Sequence, residues 1–157
     1  MCWRRCLGLE KRITVAQINF SVAFDRVRHS GFQFKLRDVG VGVVFNVIAG
    51  LLSGRVQRAV VGGIHRENVR VISGVSHGSE LGPLLFLLYT SDLPIILENT
   101  LGGYADDSTL LTELPEISNR VQAVLSLNRD LTRIGDWCKR WKLLANPMIS
   151  KALLIST

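Results

Sequence analysis

Two adjacent carboxylates, Asp106 and Asp107, stand between two short runs, Leu101-Gly102-Gly103-Tyr104-Ala105 and Ser108-Thr109-Leu110-Leu111. The pattern predicts a hairpin over residues 101–111 that turns at Asp106-Asp107. Like charges side by side repel, and a divalent cation would relieve the repulsion. Aspartate is also simply a good turn former, and the dipeptide alone leaves both readings open. A two-metal phosphoryl-transfer site needs carboxylates from more than one element, clamping ions about 4 Å apart that activate a hydroxyl and stabilise the leaving pyrophosphate. The natural second element is an early strand, residues 13–20, Ile-Thr-Val-Ala-Gln-Ile-Asn-Phe, short, apolar and β-branched. Its end carries Asn19 where a carboxylate would be wanted, and Asp25 lies six residues further on, at the start of a helix-like segment.

The remaining elements must bring these two segments together. Residues 30–38 and 42–52 read as two short helices split by Gly40 and Gly42. Residues 55–61 and 67–73 alternate around Gly62-Gly63, a hairpin signal. Gly78 to Pro83 leads into an apolar helix through about Ile96, with Pro83 tolerated in its first turn. A long amphipathic helix follows. Ile117, Val121, Val124, Leu127, Leu131, Ile134, Cys138 and Trp141 recur at steps of three and four, with Arg120, Asn128, Arg129, Arg133 and Lys139 on other faces. Residues 152–156, Ala-Leu-Leu-Ile-Ser, close with a strand. Hairpins interleaved with helices predict an α+β fold, an antiparallel sheet with helices packed on one face.

The 157 residues fit one domain or a piece of one. With 47% hydrophobic and 20% charged residues and a mean hydropathy of +0.25, the chain is no disordered charged tail. Nineteen Lys and Arg against thirteen Asp and Glu give a net charge of +6. Residues 1–70 hold twelve of the basic residues and four acids, a balance of +8, whereas residues 71–116 hold seven acids and no Lys or Arg. The basic half suits phosphate backbones, and the acidic block suits a metal site or a solvated face. Cys2, Cys6 and Cys138 form no disulfide or zinc framework. His29, His65 and His77 are scattered and read as surface or turn residues. The N-terminal stretch lacks the apolar core of a signal peptide, and the run Leu81–Tyr89 is too short to span a bilayer. No membrane partner is expected, and a cytoplasmic or nuclear location follows by elimination.

Three blocks carry a resemblance. Asn19-Phe20-Ser21-Val22-Ala23-Phe24-Asp25-Arg26-Val27 resembles Asp-Phe-Ser-Lys-Ala-Phe-Asp-x-Val. The stretch Ser73-Gly74-Val75-Ser76-His77-Gly78-Ser79-Glu80-Leu81-Gly82-Pro83-Leu84-Leu85-Phe86 resembles Ser-Gly-Val-Pro-Gln-Gly-Ser-x-Leu-Gly-Pro-Leu-Leu-Phe. Tyr104-Ala105-Asp106-Asp107 matches a third block outright. In this order they resemble the palm region of reverse transcriptases of the non-LTR (LINE-type) retrotransposon family, over residues 13–157. The resemblance implies an RNA-directed DNA polymerase palm using Mg²⁺ or Mn²⁺, an RNA template, a DNA primer and deoxynucleoside triphosphates. It implies Asp106 as a metal ligand with Asp107 beside it, and Phe24 under the incoming sugar. It also implies Gly78 as a close-approach position, His77 where a template-holding Gln stands, and Asp25 as support for its turn. Lys151 belongs to Asn146-Pro147-Met148-Ile149-Ser150-Lys151, which resembles Asn-Pro-x-Lys-Thr-Lys.

The departures bear on activity. Asn19 replaces the Asp expected to bridge both ions, and hard cations favour carboxylate oxygen over an amide. Val22 replaces a Lys, Ser76-His77 replace Pro-Gln, and Ile149 stands where a Lys would be. Residues 1–12 read as a basic remnant, with the fingers and thumb of the family largely missing. The expectation is a degenerate palm fragment with a defective site. The alternative is a non-enzymatic basic module that binds nucleic acid or a partner protein through residues 1–70.

Overall fold

A computed structural model describes residues 12–38, 40, 42–75, 81–104, 106–114 and 120–155. In chain order the elements are β1 (Arg12–Asn19), a 3₁₀ turn (Phe24–Arg26), α1 (His29–Asp38) and α2 (Gly42–Leu52). Four two-residue strands follow: β2 (Val56–Gln57), β3 (Val60–Val61), β4 (Ile64–His65) and β5 (Val69–Arg70). Then come α3 (Leu81–Thr90), a second 3₁₀ turn (Pro94–Ile96), β6 (Thr100–Tyr104), β7 (Asp107–Leu114), α4 (Arg120–Trp141) and β8 (Lys151–Ile155). The fold is α+β, as expected. The chain divides into two compact units, one running to Ser21 and resuming at Thr90, the other Val22–Tyr89.

The first unit is a four-stranded antiparallel sheet in the order β6-β7-β1-β8, with α4 packed against β7. β1 is central, and its β-branched and apolar residues suit that place. Ala16 faces Leu110, and Ile18 faces Ser108, all four buried. The alternate positions pair Gln17 with Thr109 and Asn19 with Asp107, on the opposite face of the sheet. β8 flanks the other edge of β1, with Lys151 opposite Gln17.

Helix α4 buries part of the stripe its spacing suggests, Leu127, Ile134 and Cys138, and departs from it elsewhere. Val121 and Val124 are 69% and 50% exposed, whereas Ala123, Leu127, Asp130, Ile134, Trp137 and Cys138 are buried. The helix follows a carboxylate, Asp130, whose hydrogen bonds are made inside the unit. Ile117 lies outside the described residues. At its C-terminus, Lys142 adopts φ +61 and the Leu143 N–H donates to the Cys138 carbonyl at 3.1 Å. That is a left-handed cap that returns an orphan carbonyl to a donor.

The second unit packs α1 against α2. Phe32 and Tyr89 are fully buried with ring centroids 6.0 Å apart. The Lys35 ammonium is buried too. It donates to the Tyr89 carbonyl in the last turn of α3 and lies 4.9 Å from the Tyr89 ring centre. A cation there suits the negative end of the helix.

Several expectations are corrected here. The apolar helix ends at Thr90, short of Ile96. Continuing it would require the Pro94 N–H for the Thr90 carbonyl, which proline lacks. The Leu93 N–H takes that carbonyl instead, at 3.0 Å. The hairpin around Gly62-Gly63 is two nested ladders, β3 with β4 and β2 with β5, each only two residues a side and fully exposed. Both glycines have positive φ, +57 and +81, which the tight turn demands. His29 is not a surface residue. It is buried, and its Nε2 lies 2.9 Å from the Gly74 carbonyl, an acceptor only, so that nitrogen carries the proton.

Candidate functional site at the β6–β7 hairpin

Tyr104 pairs with Asp107, leaving two residues between them. Asp106 therefore lies in the turn, and Asp107 is the first residue of β7, which corrects the expectation that both aspartates turn. The shift matters because Asp107, not Asp106, becomes the register partner of Asn19. Asn19 Nδ2 donates to Asp107 Oδ1 at 2.8 Å. Asp106 sits at the tip, and its carbonyl accepts the Phe20 N–H at 3.3 Å.

The end of β1 is also held from behind. The Asn146 N–H donates to the Asn19 carbonyl at 2.8 Å, and the Ser21 N–H donates to the Leu144 carbonyl at 2.7 Å. Asn146 turns the chain on itself. Its Oδ1 accepts the Met148 N–H at 3.0 Å, and its carbonyl accepts the Ser150 hydroxyl at 2.7 Å. The segment containing Asn146 thus fixes the backbone of Asn19, a role that sequence reading did not assign to it. Its spacing to Lys151 was the available signal.

Lys151 is exposed on β8, diagonal to Asn19 and across β1 from Asp107. The structure therefore brings together Asn19, Asp106 and Asp107, with Lys151 on the same sheet. Phe24 belongs to the second unit, where its ring packs 5.4 Å from Phe86. Asp25 lies in the same 3₁₀ turn. Gly78 and His77 lie outside the described residues.

Gly74 is a position that sequence reading passed over in favour of Gly78. Its φ is +94, a conformation that side chains resist. Its N–H donates to the Val27 carbonyl at 2.9 Å, and the Val75 N–H donates to the Phe24 carbonyl at 3.0 Å. A Cβ on Gly74 would lie 3.4 Å from Asp25 Cα. This glycine stitches the start of the second block to the turn that carries Phe24 and Asp25.

The donor set does not fit a two-ion clamp. Such a clamp needs anionic oxygens from both strands. Here β1 offers a neutral amide, and that amide presents its N–H, not its oxygen, to Asp107. Among the described residues no group of three or more His, Cys, Asp or Glu is placed to hold a metal ion.

A central strand flanked by an acidic hairpin, in an antiparallel sheet backed by a helix, fits a palm-type α+β domain. Residues 5–153 match the family model described as reverse transcriptase (RNA-dependent DNA polymerase), and the chain belongs to that family. It is 34% identical over 139 residues to a probable RNA-directed DNA polymerase from transposon BS of Drosophila melanogaster. It is 31% identical over 140 residues to the RNA-directed DNA polymerase from mobile element jockey of Drosophila funebris. These alignments cover 83% and 82% of the chain, which spans about 15% of the length of either relative. The fold is also similar to that of apo telomerase from Candida tropicalis, with a TM-score of 0.69 at 12% identity over 98% of this chain and 32% of that one. The expected non-LTR retrotransposon kinship therefore holds. Polymerases of this class work with divalent cations on nucleic-acid templates. No helix among the described residues is long and apolar enough to cross a membrane.

Proposed function

We propose that residues 13–157 are a reverse transcriptase palm domain that retains the catalytic hairpin but does not itself carry out nucleotidyl transfer. The observation that supports this reading is the Asn19–Asp107 hydrogen bond, which joins an amide to a carboxylate where the reaction needs two carboxylates and an ion. Asp106 and Asp107 are the remaining metal-facing groups of an ancestral Mg²⁺ or Mn²⁺ site. The family resemblance assigns Phe24, Gly78, His77 and Lys151 to nucleotide and template binding. The lineage implies an RNA template, a DNA primer and deoxynucleoside triphosphates as ligands. The test is primer extension on an RNA template with Mg²⁺ or Mn²⁺. No incorporation is expected from the unaltered chain, and clear incorporation overturns the reading.

A second reading is a non-enzymatic nucleic-acid-binding module, favoured by the nested hairpin. Residues 55–70 carry Arg55, Arg58, Arg66 and Arg70 against a single acid, Glu67, all exposed. Guanidinium groups on an exposed ribbon suit phosphates. Filter binding should then weaken steeply with salt, and the slope should flatten when these arginines are replaced. A salt-independent or absent signal removes this reading.

A further inference from the structure

Asn19 and Asp107 stand directly opposite each other in the β1–β7 ladder. Two carboxylates at such a pair repel, and a bound cation would have to offset that repulsion. Asn19 meets the same requirement without an ion. Its Nδ2 donates to Asp107 Oδ1 at 2.8 Å, a hydrogen bond strengthened by the carboxylate's charge. The opposite amide orientation would set oxygen against oxygen, so the donor orientation is the one held. The Asn19 backbone is fixed independently by the Asn146 N–H at 2.8 Å. A cation seated between Asn19 and Asp107 would have to displace the amide N–H that already occupies the carboxylate.

We infer that Asn19 is a positioning residue that replaces the metal ion: its amide fastens the turn end of the β6–β7 hairpin to the end of β1 and frees the site's architecture from divalent cations. The inference rests on the reading of an inactive palm and adds to it. Loss of the ion is matched by a built-in substitute, so the hairpin keeps its place in the sheet without metal.

The experiment is thermal unfolding of the full 157-residue chain in chelator and in millimolar Mg²⁺ or Mn²⁺, for the unaltered chain, Asn19→Asp and the exchange variant Asn19→Asp/Asp107→Asn. The unaltered chain should melt at the same temperature with and without cation. Asn19→Asp should melt about 1–4 °C lower in chelator and recover when cation is added. The exchange variant lets donor and acceptor trade places, so it should regain the original midpoint and lose the response to cation. Should Asn19→Asp not fold, nitrogen-correlated NMR of the unaltered chain gives the readout. The Asn19 side-chain amide protons should be shifted and slow to exchange, and should move to free-amide positions in Asp107→Ala. An unaltered chain stabilised by cation as much as Asn19→Asp overturns the inference. So does an Asn19→Asp chain that melts unchanged in chelator, or an Asn19 amide indifferent to Asp107→Ala. None of these readouts needs turnover. Primer extension by the unaltered chain would remove the inactive reading yet leave a cation-insensitive melt standing, whereas a cation-sensitive melt would do the reverse.

Discussion

The carboxylate of Asp130 has no exposed surface, and Arg133 donates to it at 2.9 Å from one turn further along the same helix. The same carboxylate accepts the backbone N–H groups of Glu98 and Asn99 at 3.1 and 2.9 Å and the Asn99 side-chain amide at 2.8 Å. Arg133 also reaches Glu98 at 2.9 Å, as does Arg129 at 3.1 Å. One buried acid therefore ties the segment that enters β6, Glu98-Asn99, onto α4.

Asp130→Ala should lower stability by about 3 kcal/mol, because the N–H groups of Glu98 and Asn99 lose their buried acceptor. Burial pushes the Asp130 carboxyl up, but the hydrogen bonds from Glu98, Asn99 and Arg133 outweigh it and hold the group below its ordinary value of 3.8. Its native value is depressed, so its contribution is complete above the ordinary value and is lost as pH falls through the native one. Urea midpoints measured from pH 7 down to pH 2 should therefore drop at the acid end, and less so in Asp130→Asn. Parallel profiles would exclude this role.

Lys142 holds a left-handed conformation, φ +61, at the end of α4. Glycine adopts it without a Cβ penalty. Lys142→Gly should raise stability by about 1 kcal/mol, or roughly 2–4 °C in melting temperature. A lower melting temperature would mean that the lysine side chain contributes more than its backbone costs.

Gly74→Ala should act in the opposite direction. At φ +94 an alanine is strained by about 1–3 kcal/mol even though its Cβ only touches Asp25. Denaturant unfolding checks this, and an unchanged midpoint would show that the turn can relax around a side chain.

Cys138 is buried, and burial pushes its thiol up to about 11, against a smaller opposing hydrogen bond at Ala145. Little thiolate forms near neutral pH, so alkylation should be slow. Peptide mapping after iodoacetamide treatment at pH 8 should find Cys138 unmodified in buffer and modified in denaturant. Rapid labelling in buffer would show that α4 opens easily.

The elements that carry the site were legible because their local chemistry agrees with their tertiary role. β1 is β-branched and apolar, and it became the central strand. Gly62 and Gly63 marked a turn that only positive φ can make. Asp106 and Asp107 marked a hairpin, but not which of them turns, because that depends on where the ladder closes. A buried Asp130 was hidden by its own polarity. It lies within an apolar stripe from Leu127 to Ile134, where a carboxylate signals solvent unless its partners are known. Gly74 gave no local cue either, since its conformation is imposed by the Phe24–Val27 turn, far away in sequence.

The strand order has a consequence for how the chain is made. Asn19 and Asp107 are 88 residues apart, and the second neighbour of β1 arrives only with Lys151–Ile155. At translation rates of about 5–20 residues per second, β1 leaves the ribosome roughly 4–18 s before its first partner strand exists. Through that interval an apolar strand waits with both edges open, and the sheet is completed from its centre outward only once Lys151–Ile155 have been made.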